Sequence, residues 1–112
     1  MKDSVLMFLK KDKIILQELA RRIRIRYPEA RIWIFGSRAR GDSAWNSDFD
    51  ICVVLKATSE ETDEFVRNVA WEVGFENERV ITSIILSEDG FENGPMSESS
   101  LVENILREGI AA

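Results

Sequence analysis

The sequence predicts an α/β (α+β) fold, a small mixed β-sheet of three or more strands with helices packed beside it. Three observations carry that prediction. Apolar residues recur at helical spacing through the first 26 residues. Two short runs, Ile32-Trp33-Ile34-Phe35 and Ile51-Cys52-Val53-Val54-Leu55, read as covered strands. A β-branched run from Val80 to Leu86 follows a second helical stretch and reads as a third strand.

The first helix draws its stripe from Leu6, Leu9, Lys13, Leu16, Ala20 and Ile23, broadened by Ile14, Ile15 and Leu19, with Asp3 or Ser4 as its cap. Tyr27-Pro28 ends it, because the residue before proline is pushed out of helical geometry. Residues 31–35 form the first strand, residues 38–47 a short helical turn plus loop, and residues 49–55 the second strand. Thr58 or Ser59 caps the next helix, whose apolar side is Phe65, Val66, Val69, Ala70 and Val73, and Gly74 stops it. Residues 79–86 form the third strand and residues 87–95 a turn region. A final helix runs from about Ser97 to near Gly109, with Leu101, Val102, Ile105 and Leu106 apolar. Trp33 and Trp71 fall inside these elements and are expected in the core.

A chain of 112 residues suits one domain, residues 1–112, and its 45% hydrophobic content suits a single core. The longest apolar run is five residues, against roughly 20 for a membrane span. Met1-Lys2-Asp3 leads into a lysine-bearing helix rather than a secretory signal, so a cytoplasmic protein is expected. The lone cysteine, Cys52, sits mid-strand and reads as a buried structural thiol. There is no histidine, which excludes Ser-His-Asp hydrolysis and histidine-ligated metals.

The net charge of −5 conceals a division. Residues 1–40 hold eleven Lys/Arg against four Asp/Glu, a balance of +7, while residues 41–112 hold four against sixteen, a balance of −12. The basic third either faces an anion such as a nucleotide, RNA or an acidic partner, or forms a solvated helix face that balances the acidic half internally. Arg21, Arg22, Arg24 and Arg26 fit the second reading better.

The chemistry concentrates between residues 36 and 50. Gly36-Ser37-Arg38-Ala39-Arg40-Gly41 follows the first strand, and Ser47-Asp48-Phe49-Asp50 opens the second. Gly36 and Gly41 allow a tight turn whose peptide N–H groups can meet a phosphate. Ser37 offers a hydroxyl, and Arg38 and Arg40 are candidate cationic clamps. Residues two apart on a strand share a side, so Asp48 and Asp50 converge with bases about 7 Å apart. Such a pair favours a cation between its members, and Mg²⁺ prefers carboxylate oxygens while leaving positions for phosphates. A P-loop needs Lys and Ser/Thr after its second glycine, where this chain has Asp42 and Ser43; a Rossmann fingerprint is broken by Ser37 and Arg38. Trp45, in the same loop, either stacks on a base or covers the turn.

Gly36-Ser37, the gap to Gly41, and Asp48-x-Asp50 on the following strand resemble the minimal nucleotidyltransferase (MNT) family of the DNA polymerase β-like nucleotidyltransferase superfamily. The ending Arg107-Glu108-Gly109-Ile110 is similar to tails in that group. The resemblance implies the polymerase β-like nucleotidyltransferase fold and a nucleotide site at Gly36, Ser37, Arg38, Arg40, Gly41 and Ser47. It implies Asp48 and Asp50 as catalytic metal ligands, Mg²⁺ as cofactor and ATP as substrate. Minimal members pair with small HEPN proteins as antitoxin and toxin, and some transfer AMP to a tyrosine of that partner. Two rivals are a reduced nucleotide-binding antitoxin that neutralises its partner by contact, and an RNA-binding adaptor. One departure matters. The family usually carries a third aspartate on the next core strand, where residues 80–86 hold no acid, and Thr82 or Ser83 stands in its region. Glu78 precedes that strand, and Glu88 and Asp89 follow it.

Overall fold

A computed structural model describes residues 2–36, 48–93 and 100–112. The elements in chain order are α1 (Lys2–Arg26), β1 (Arg31–Phe35), β2 (Phe49–Leu55), α2 (Glu60–Asn77), β3 (Ile81–Ser87), α3 (Glu88–Glu92), α4 (Ser100–Glu108) and β4 (Ile110–Ala111). The strands form one four-stranded mixed sheet in the order β3-β2-β1-β4. β1 pairs antiparallel with β2 and with β4, while β2 and β3 run parallel. The parallel pair is joined through α2, as a parallel connection requires.

Alternation along the strands divides the core in two. Ile32 and Ile34 of β1 and Phe49, Ile51, Val53 and Leu55 of β2 face α1 and α2, where they meet Leu16, Leu19, Ile23, Val66 and Val73. On the other side Cys52 and Val54 pack with Phe91, Val102 and Ile105, with Trp33, Phe35 and Leu86 beside them. β2 is therefore covered on both faces, which is why its sequence reads as a nearly continuous apolar run. Cys52 is fully buried and burial pushes its thiol up to about 12, so it is an inert packing residue.

α1 turns its buried stripe slightly from the expected one. Asp12, Ile15, Leu16, Leu19, Ala20 and Ile23 are buried, whereas Lys13 and Ile14 face solvent. The helix already includes Asp3 and Ser4, so neither caps it. At α2 the Ser59 side chain accepts from the Thr62 N–H, and Thr62 Oγ1 accepts from the Ser59 N–H at 2.8 Å, a reciprocal cap.

Gly74 does not stop α2. The helix runs on to Asn77 and closes through Glu78 in left-handed geometry (φ 55°), with the Arg79 N–H donating to the Gly74 carbonyl at 2.9 Å. Gly74 is glycine because the chain folds back on it: a Cβ there would stand 2.6 Å from the Arg79 carbonyl oxygen. Residues 88–92, expected as turn, form the short helix α3, whose start is fixed by the Gly90 N–H donating to Ser87 Oγ at 2.9 Å.

Trp71, expected in the core, is 69% exposed and stacks on the equally exposed Phe75 at 5.5 Å. Trp33 is partly buried and stacks on Phe91 at 5.3 Å. The helical turn expected within residues 38–47 lies outside the described residues, as does the 97–99 start of the last helix. Among the described residues, no helix is long and apolar enough to cross a membrane.

Candidate functional site

β1 and β2 bring the glycine turn to the first acidic residue of the strand beside it. Phe35, the last residue of β1, is the ladder partner of Asp50. Gly36 follows with φ 75°, a conformation in which a side chain is strained. A Cβ on Gly36 would lie 3.3 Å from Asp50 Oδ2, so the carboxylate leans over the bare glycine. Glycine thus answers two demands at one position, the turn and the room for the acid.

Phe49 pins the segment between the two acids. Its ring is wholly buried in the α1/α2 core, and its N–H donates to the Val80 carbonyl at 2.8 Å. With Phe49 held on that side, Asp50 points to the opposite face, where it is partly buried. Asp48, just before the strand, is exposed. Burial first, and then the neighbouring negative charge of Asp48, push the Asp50 carboxyl above the usual carboxylate range. An acid that is raised by a like charge and by burial gains from a cation placed against it.

The parallel register sets Thr82 directly beside Asp50, with Ser83 beside Ile51. Thr82 therefore occupies the strand position that neighbours Asp50 on its own face, and Ser83 belongs to the opposite face. Among the described residues, no three His, Cys, Asp or Glu side chains gather into a metal cage. The two acids suit a hard divalent cation that completes its shell with water and phosphate oxygens. Glu78 closes α2, and Glu88 and Asp89 open α3, beyond the far end of β3 from Thr82.

Of the sequence-derived candidates, Gly36, Asp48 and Asp50 are brought together. Ser37, Arg38, Arg40, Gly41, Ser47 and Trp45 lie outside the described residues. The basic end of α1 is largely engaged within the fold. Arg22 pairs with Glu18 at 2.8 Å and with Glu76 of α2 at 2.7 Å, Arg26 pairs with Glu61, and Arg24 donates to the Ala30 carbonyl at 2.9 Å. Sequence reading missed the role of β4. Its pairing with Trp33 and Ile34 places the carboxy-terminal residues against β1, the strand that delivers Gly36.

No curated protein matches this chain. A crystal structure of a candidate nucleotidyltransferase from Sulfolobus solfataricus shares the fold, with a TM-score of 0.57 and 21% identity over 96% of this chain and 85% of that one. The family model for the nucleotidyltransferase domain matches residues 16–112, from the middle of α1 through β4, and the chain therefore belongs to the nucleotidyltransferase domain family.

Proposed function

We propose that this nucleotidyltransferase domain transfers AMP from ATP to a protein partner, a small HEPN protein that it restrains as an antitoxin. The observation that carries the reading is the Asp50 carboxylate leaning over Gly36, with Asp48 close enough to perturb it. In this reading Asp48 and Asp50 would hold Mg²⁺, which would neutralise charge on the triphosphate and polarise the α-phosphorus. Gly36, Ser37 and Gly41 would give the triphosphate its backbone and hydroxyl seat, and Arg38, Arg40 and Ser47 would add contacts to its oxygens. Transfer requires an acceptor hydroxyl held in line with the α-phosphorus. The new bond is oxygen to α-phosphorus, the bond to the β-phosphate oxygen breaks, the hydroxyl proton passes to solvent or to a site carboxylate, and pyrophosphate leaves. The chain's contribution is position and charge placement.

Thr82 beside Asp50 favours a second reading, an antitoxin that binds nucleotide and neutralises its partner by contact. A threonine brings no charge to deprotonate the attacking hydroxyl. The RNA-adaptor reading loses support because Arg22 and Arg26 are spent on Glu76 and Glu61.

One experiment separates the first two. The chain is mixed with a HEPN protein, ATP labelled on its α-phosphate, and Mg²⁺. Label on the partner that is lost with Asp50→Asn supports transfer. A tight complex with no label in the wild-type mixture sinks transfer and leaves contact inhibition. Omitting Mg²⁺ abolishes labelling if the cation is required.

A further inference from the structure

We propose that the outer edge of β3 is a self-association surface, joining two copies of this chain by antiparallel β3–β3 pairing centred on Ile84. β3 stands at the edge of the sheet, bonded to β2 alone among the described strands. An open edge is a template for another strand. The Val80 carbonyl accepts from Phe49 and so points toward β2. Alternation then turns the N–H and C=O groups of Ile81, Ser83, Ile85 and Ser87 outward.

Several features beside this edge call for a cover. Trp71, Phe75 and Val80 are 69%, 73% and 66% exposed, and the two rings are stacked on each other. With Arg67, Arg79 and Ile81 they line a groove of about 550 Å³ between α2 and the first half of β3. An apolar patch of this kind next to an open strand edge is unusual for a free surface.

The choice of a second copy rests on register and charge. Ile84 is the middle residue of β3. Antiparallel pairing about it sets Ser83 opposite Ile85 and Ile81 opposite Ser87, so outward-facing groups meet outward-facing groups at every step. The same register carries Arg79, just before the strand, toward Glu88 and Asp89, just after the strand in the second copy, and it does so at both ends. A two-fold axis through Ile84 leaves both α2 helices on one face, so the two Trp71–Phe75 stacks flank the axis. The contact is isologous and closes as a dimer with an eight-stranded sheet. The candidate site is not consumed by it, because Asp50 lies one strand in and on the opposite face from α2.

Sedimentation velocity of the full chain at about 10 μM, free of nucleotide, reads the proposal directly; a dimer is expected. Ser83→Pro removes an outward N–H without touching the β2 ladder, and Trp71→Lys charges the patch; each is expected to raise the dimer Kd at least tenfold. Because either variant can disturb folding, a charge swap serves as the second measurement. Arg79→Glu and Asp89→Arg each weaken dimerisation, and the double variant returns to within about threefold of wild type. A wild-type chain that stays monomeric at about 100 μM overturns the proposal, even if a peptide or another protein binds the edge. So does a dimer that persists unchanged in folded Ser83→Pro and Trp71→Lys variants.

Discussion

On the α1/α2 side of the sheet, the inward residues of β1 and β2 are all apolar and fully covered, Ile32 and Ile34 meeting Phe49, Ile51, Val53 and Leu55. On the α3/α4 side the same two strands contribute Cys52 and Val54, then half-covered Trp33 and Phe35, and finally Asp50 at the open end. One side is a closed core that holds the chain in shape. The other tapers from packing into the candidate site along a single strand. Phe49 and Asp50 are consecutive residues, yet they belong to these different regions because strand alternation separates them. A strand shared between a core and a candidate site lets rigid packing fix the position of a carboxylate.

That contrast predicts opposite outcomes for neighbouring substitutions. Phe49→Ala empties a wholly buried site and is expected to cost about 3–5 kcal/mol, read by urea or thermal unfolding. Asp50→Asn is expected to leave the metal-free fold intact and to raise its Tm at neutral pH. The sign follows from its raised pKa. A carboxylate pushed up in the folded state costs stability above its folded pKa, and the cost disappears as pH falls below the unfolded value. The gain in Tm for Asp50→Asn is therefore present at pH 7 and absent in strong acid. Nucleotidyl transfer by the same variant is expected to fall by about 10²–10³-fold. If Asp50→Asn instead unfolds the protein, or Phe49→Ala spares it, the division between the two faces is misdrawn.

Gly36→Ala comes next in size. Left-handed geometry costs a side-chain residue about 1–2 kcal/mol, and here the new methyl also meets Asp50 Oδ2 at 3.3 Å. Unfolding measurements are expected to show that loss, and divalent-ion titration to show weaker binding, since the acid has to shift. A stability loss with unchanged ion affinity separates the turn from the site.

Thr82→Asp sharpens the comparison from the other direction. It puts a third carboxylate next to Asp50 on the tapering face. Manganese affinity is expected to rise about tenfold, ~1.4 kcal/mol, as ligand charge increases, while the metal-free protein loses stability through repulsion with Asp50. Transfer that rises alongside would identify the threonine as the limit on turnover. Unchanged metal affinity would place the cation away from β3.

Legibility in the sequence followed the same line between local and distant causes. β1 and β2 were readable to the residue because a short, doubly covered apolar run has few alternatives. The nearness of Gly36 to Asp50 was readable because the two apolar runs that carry them are consecutive strands that pair with each other. The role of Gly74 is not legible locally, because it depends on Arg79 folding back upon it, a contact that composition does not reveal. Trp71 departs from the expected burial because hydrophobicity alone does not decide it: helical position puts the ring one step outside the Val66–Ala70–Val73 stripe. β4 has two residues and no periodicity to detect; it exists through its bonds to β1. α3 does carry a local signal, the cap residue Ser87 followed by Glu88 and Asp89.

The smallest expected effect concerns the charge division along the chain. Glu18 accepts from Arg21 and from Arg22, and those bonds, Arg21's first, lower its carboxyl to about 2. Arg22 reaches on to Glu76, so this cluster ties the basic helix α1 to the acidic helix α2. A carboxylate lowered in the folded state adds stability above its unfolded pKa of about 4.5 and loses it as pH falls through about 2. Glu18→Gln is therefore expected to lower Tm slightly at pH 7, with the difference fading across that acid window. The groups are solvated, so salt near 1 M is expected to shrink the difference as well. Arg22→Gln, which also severs the link to Glu76, is expected to cost more than Glu18→Gln at the same pH. Equal effects would mean that the pairing within α1, rather than the bridge to α2, accounts for the balance between the basic and acidic parts of the chain.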